Sequence, residues 1–163
     1  RLSKELNIPV YHDDQEGTAI VVMAGLLNAA KVVNKPFNDL HILINGAGAS
    51  GIAVARLLFA AGVKHITLAD IHGVVTPDDD RYNKFQRGLA RELGTQTTGT
   101  TLQEGIKGQD VFVGLSDANV LTGDDVRNMA DQPIIFGLAN PVPEIDPAVA
   151  KEADAAVIAT GSR

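Results

Sequence analysis

Residues 41–61 read HILINGAGASGIAVARLLFAA, and the fold turns on them. His41 to Asn45 is a short apolar run with strand character. Ala49 to Ala61 is a helical run, and Gly62 is its natural stop. Between them stands Gly46-Ala47-Gly48-Ala49-Ser50-Gly51, a GxGxxG turn in the strand-to-helix context that a dinucleotide fingerprint requires. In that reading Gly46 permits the tight turn, Gly48 leaves the backbone open to a pyrophosphate, and Gly51 lets the helix pack close to the sheet. The anion would rest on unpaired N–H groups at the positive end of the helix. Alone, six residues are a weak signal, because a glycine turn kept only for packing reads the same.

The next apolar run strengthens it. Ile66 to Asp70 (ITLAD) is a second strand, and Asp70 closes it nineteen residues after Gly51. An acid about 20 residues beyond the fingerprint is placed to bind a ribose diol. A carboxylate there repels a 2′-phosphate, which favours NAD over NADP; His72 would offset part of that repulsion.

Working outward, short apolar runs alternate with helical segments, the pattern of a parallel α/β sheet. Val111 to Leu115 (VFVGL) and Ile134 to Leu138 (IIFGL) read as strands buried on both faces, and Ala156 to Ala159 as a last strand. Gly17 to Val33 is a long helix, apolar on nearly every side, expected to be buried between two layers or two domains. Tyr82 to Leu93 and Asp124 to Ala130 are further helices. Ile8 to Tyr11 is a short extended lead-in, His72 to Asp80 a polar loop, and Thr95 to Thr101 irregular or a weak edge strand. The expected fold is α/β: a Rossmann-type, doubly wound, mainly parallel sheet in a single domain with a long buried N-terminal helix.

Composition bounds the function. The 163 residues suffice for one domain. A net charge of −6 argues against a nucleic-acid or anionic-membrane surface. The uncharged stretch from Gly17 to Ala30 falls short of the ~20 apolar residues a membrane span needs. The absence of cysteine excludes a disulfide scaffold, a thiolate nucleophile and a cysteine metal site, and fits a cytoplasmic protein. The chain opens on Arg1 rather than Met, which suggests a piece of something longer.

Two other clusters could carry chemistry. His12-Asp13-Asp14-Gln15-Glu16 precedes the long helix. Asp13 and Glu16 have capping-box spacing, and helix-start chemistry is the stronger reading from composition alone. It leaves Asp14 without a task, and a carboxylate there could hold Mg2+ or Mn2+. Asn140-Pro141-Val142-Pro143 follows the IIFGL strand, where open α/β sheets bind ligands; plain turn chemistry is the alternative. Ser116 follows VFVGL at the same edge. His12, His41, His65 and His72 have no metal spacing. Ser50 is no nucleophile elbow, since no Gly-x-Ser-x-Gly surrounds it.

Taken together, IPVYHDDQEGTAIVVMAGLLNAAKVV, LINGAGASGIAVARLL, DVFVGLSDANVLT and PIIFGLANPVPEI resemble the malic enzymes, particularly the shorter bacterial branch, in order and spacing from Ile8 to Gly161. The resemblance implies a cofactor domain of an enzyme that decarboxylates L-malate oxidatively to pyruvate and CO2, using NAD, or NADP, and Mg2+ or Mn2+. It implies that Asp14 is a metal ligand and that Asp13 supports the catalytic hydrogen-bond network. It places Thr18 near the nicotinamide, residues 46–51 (Gly46, Ala47, Gly48, Ala49, Ser50, Gly51) at the pyrophosphate and Asp70 at the ribose. It sets Ser116 on the cofactor side and Asn140 in contact with substrate and cofactor. The family's catalytic tyrosine and lysine and its Glu-Asp metal ligands should then precede Arg1, and the isolated chain should be inactive. Malic enzymes are usually dimers or larger. Two departures stand out: Glu16 replaces a common His, and Ser116-Asp117-Ala118-Asn119 replaces Ser-x-Pro-Gly. The alternatives are the cofactor domain of another dehydrogenase, of amino-acid or folate type, and a nucleotide-sensing module without chemistry.

Overall fold

The computed structural model describes residues 4–9, 15–46, 48–70, 73–78, 83–93, 101–115, 121–138 and 145–162. Strand β1 (Lys4–Pro9) leads to helix α1 (Gln15–Val33), then β2 (His41–Asn45), α2 (Ala49–Ala60), β3 (His65–Asp70) and the two-residue β4 (Gly73–Val74). There follow α3 (Lys84–Leu93), α4 (Leu102–Gly105), β5 (Val111–Gly114), α5 (Gly123–Arg127), β6 (Ile134–Gly137), α6 (Pro147–Glu152) and β7 (Val157–Ser162).

Among the described residues the strands form one sheet in the order β1-β7-β6-β5-β2-β3-β4. All neighbours are parallel except β3 and β4. Counted from β2, this is the doubly wound order 3-2-1-4-5-6, with β1 added beyond the sixth strand. The winding reverses between β2 and β5, so a crevice opens above their carboxyl ends.

The period of two in each strand builds the layers. Ile42 and Ile44, Val111 and Val113, and Ile134 and Phe136 enter a core roofed by α1, α2 and α3. The intervening Leu43, Phe112 and Ile135 enter a second core roofed by α4, α5 and α6. Both sheet faces are covered, which is why VFV and IIF read as continuous apolar runs rather than alternating ones.

Several boundaries differ from the sequence reading. The lead-in Ile8–Tyr11 belongs in part to a true strand, β1, which pairs with β7 from Lys4↔Val157 to Pro9↔Ser162. The expected polar loop holds the short β4, which pairs antiparallel with β3, Gly73 against Asp70. Thr101 caps α4 through a reciprocal box with Glu104, while residues 94–100 lie outside the described residues. Helix α6 is started by Asp146, whose side chain accepts from the Ala148 amide, with Pro147 in the first turn. Helix α1 is buried along one face only. Ala19, Val22, Leu26, Ala29, Ala30 and Val33 face the core, while Ile20 is 61% and Leu27 39% exposed. The sheet and α2 cover one side of it, and among the described residues no second layer covers the other.

Candidate functional site

The register fixes the site. Asn45 pairs with Ala69, so Gly46 and Asp70 leave the sheet side by side. The Gly46 amide donates to the Ala69 carbonyl at 2.7 Å, extending the ladder by one bond. Gly46 then takes φ +135, a conformation L side chains rarely adopt, and the chain swings into α2. Asp70 stands half-buried beside that turn.

The other two glycines of the motif act differently. A Cβ on Gly51 would lie 1.6 Å from the Gly46 carbonyl oxygen, so the helix can approach the strand end only without one. A Cβ on Gly48 would meet nothing within 4 Å, and its φ of −79 suits any residue. Among the described residues nothing requires glycine there, and the space beside it is open. Gly48 is the N-cap of α2 and offers no side-chain cap, and the first turn holds no acid. The amides of Ala49, Ser50 and Gly51 have no carbonyl within the helix to bond. Such an end attracts an anion.

The neighbouring strands end alike. Asn45 pairs with Gly114 and Gly114 with Gly137, so three adjacent strand ends carry no side chain at Gly46, Gly114 and Gly137. The ladder continues as Leu115 donates to the Asn45 carbonyl and Leu138 to the Gly114 carbonyl, both at 2.9 Å. The sequence reading did not single out Gly114 or Gly137. The signal was there in the repeated strand-Gly-Leu of VFVGL and IIFGL, since glycine ending a strand marks close approach of a ligand or another backbone.

Helix α1 joins this edge by connectivity. It follows the carboxyl end of β1 and must run down to the start of β2, so its first turn and the buried Thr18 lie at the edge that carries Gly46. Lys35, just past its last turn, confirms the direction: its ammonium donates to Asp110 at 2.8 Å, where β5 begins. Asp13, Asp14, Ala47, Ser116 and Asn140 lie outside the described residues. Among the described residues no group of three His, Asp or Glu converges.

The sequence profile described as malic enzyme, NAD binding domain matches residues 15–163. The chain belongs to that family. It is 45% identical over 161 residues to the NAD-dependent malic enzyme of Geobacillus stearothermophilus, covering 99% of this chain and 34% of that protein. It is 42% identical to the NADP-dependent malic enzyme of Halomonas elongata, over 98% of this chain and 38% of that one. The crystal structure of the NAD-dependent malic enzyme of Thermotoga maritima superposes with a TM-score of 0.85 at 39% identity, over 95% of this chain and 42% of that one. The chain thus spans between a third and two-fifths of the length of these curated relatives. It is the NAD-binding domain of a malic enzyme, with a Rossmann-type sheet. None of its helices, among the described residues, is long and apolar enough to cross a membrane.

Proposed function

We propose that this domain seats NAD, with NADP as the weaker ligand, for a protein that converts L-malate to pyruvate and CO2. The observation that carries the reading is the Gly46 turn, its amide bonded to the Ala69 carbonyl just before Asp70, leading into a helix start with no side-chain cap. The Ala49, Ser50 and Gly51 amides would bind the diphosphate, with Ala47 in the same turn, and Asp70 would accept from the ribose hydroxyls. Thr18, Ser116 and Asn140 would stand towards the nicotinamide end, with Asn140 also touching substrate. The cofactor supplies the hydride acceptor.

Asp13 and Asp14 fit a divalent cation in donor chemistry, because hard oxygen ligands suit Mg2+ or Mn2+. Asp14 would supply one ligand and Asp13 the hydrogen bonds around it. When bound, the cation would supply Lewis-acid polarisation of the C2 oxygen. A base must take the C2 hydroxyl proton as hydride leaves C2, and an acid must protonate the enol after CO2 departs. Neither task falls to a residue of this chain. We place the parent in the cytoplasm, as a dimer or larger.

The test is malate-dependent reduction of NAD by the full-length protein, with and without EDTA. Asp14→Asn should cut turnover by at least ~100-fold and raise the Mn2+ needed for half-activity. EDTA-resistant turnover, or an unchanged Mn2+ titration, would remove the metal assignment. The 163-residue chain alone should bind NADH yet show no turnover of malate.

A further inference from the structure

Alternate residues along a strand turn their amides and carbonyls to opposite neighbours. In β3 the Ala69 carbonyl accepts from Gly46, on the β2 side, while the Leu68 carbonyl accepts from Val75, on the β4 side, at 2.8 Å. Asp70 therefore presents its own backbone to β4, where its partner in register is Gly73. Gly73 takes φ +101, a conformation that suits glycine, so the pairing that holds Asp70 needs a residue without a Cβ.

A strand of two residues does not hold itself in place. Val74 lies across from Ala69, on the sheet face away from Asp70, and is buried. It packs on Gly105 of α4: a Cβ on Gly105 would lie 2.8 Å from Val74 Cγ2 and 3.3 Å from Leu43 Cδ1. Helix α4 is in turn tied to β3, because the buried Gln109 amide donates to the Gly105 carbonyl at 3.1 Å and reaches Thr67 Oγ1 at 3.5 Å.

We propose that Gly73, Val74 and Gly105 are positioning residues for cofactor choice, an assignment that rests on reading Asp70 as the ribose acid. The bare backbone at Gly105 admits Val74, Val74 holds β4 against β3, and β4 sets where the Asp70 carboxylate stands beside the Gly46 turn. A hydrogen bond to a ribose hydroxyl and repulsion of a 2′-phosphate both depend on that placement. Moving β4 weakens the first and relaxes the second, with no need for any of the three residues to touch the cofactor.

The test titrates the full-length protein with NADH and with NADPH by fluorescence. In Gly105→Ala the new methyl presses on Val74, whose branched side chain has little freedom to yield. In Val74→Ala the contact loosens without added bulk, which keeps the test open if Gly105→Ala does not fold. Each should weaken NADH about threefold and leave NADPH unchanged or tighter. In an Asp70→Ala background neither should alter the ratio of the two affinities, because the group they position is gone. Equal loss for both cofactors would overturn the proposal, since a general loosening of the domain weakens both alike. So would a change of ratio that persists without Asp70. A ratio that Asp70→Ala itself leaves in place would sink the ribose reading and this assignment with it. A ratio that Asp70→Ala moves, and that Gly105→Ala and Val74→Ala do not, would sink the positioning roles alone.

Discussion

Where the parallel strands begin, side chains close off the backbone. Asp110 accepts from the Lys35 ammonium at 2.8 Å and from the His41 amide at 2.9 Å. Lys35 also donates to the Asp131 carbonyl, so one pair ties the end of α1 to β2, β5 and the turn before β6. His41 and His65, opposite each other in register, stack at 4.1 Å. Where the strands end the pattern inverts: Gly46, Gly114 and Gly137 present bare backbone, and α2 starts without a cap. The first edge spends its polar groups on one another and so stabilises. The second leaves the first amides of α2 without a partner inside the helix, and such amides are what a ligand can use. A single sheet keeps the two tasks apart by its length.

Substitution at Gly51 should have the largest effect, because it breaks both tasks together. In Gly51→Val the new Cβ would fall 1.6 Å from a backbone oxygen, which no rotamer can relieve. We expect a loss of about 3 kcal/mol or more, seen as a fall in Tm of roughly 6–12 °C, with NADH binding lost as well. A normal Tm would mean that the helix does not abut the strand end. Lys35→Met tests the basal edge alone. The pair is largely buried, at 23% and 13% side-chain exposure, so removing the ammonium should cost about 2 kcal/mol. NADH affinity should stay unchanged, since the cofactor edge lies roughly 15 Å away along the strands. Affinity falling in step with stability would erase the division between the edges.

Gly48→Ala tests the upper edge alone. Its backbone suits alanine and the added methyl meets no protein atom, so stability should move by at most about 0.5 kcal/mol. The methyl would stand where a diphosphate approaches. We expect NADH to bind about tenfold more weakly, roughly 1.4 kcal/mol, by fluorescence titration. Unaltered binding would leave Gly48 a bystander.

The sequence made the central strands and the glycine turn legible because apolar runs and glycines report local requirements. VFVGL and IIFGL declared burial on both faces, and Gly46 declared a backbone conformation. The edges were harder. β1 is a strand through its pairing with β7, 153 residues further along the chain, and KELNIP has no pattern of its own. β4 is two residues long. Helices α4 and α6 were missed although Thr101-Leu102-Gln103-Glu104 and Asp146-Pro147 are start signals, because each run is too short to show a helical period. For α1 the described residues cover one face, and periodicity cannot say whether the other is covered by this chain or by another part of the parent. In the site, the fingerprint and Asp70 came together as the spacing implied. Asp13, Asp14, Ser116 and Asn140 rest on resemblance, since a carboxylate or amide in a loop looks the same whether it caps a helix or holds a ligand.

Asp70→Ala should produce the smallest shift and the most specific one. Removing the carboxylate takes away an acceptor for the ribose hydroxyls and a negative charge facing any 2′-phosphate. NAD should lose about fivefold in affinity, near 1 kcal/mol, while NADP should hold or gain. The two contributions separate with salt. Repulsion between the half-buried Asp70 and a phosphate weakens as the screening length shortens from about 10 Å at 0.1 M towards 3 Å at 1 M, whereas a hydrogen bond to the ribose persists. The NAD deficit of the variant should therefore survive high salt, and the NADP gain should fade. Equal losses for both cofactors at both salt concentrations would mean that Asp70 supports the turn at Gly46 rather than reading the ribose, and the upper edge would then bind diphosphate without discriminating what lies beyond it.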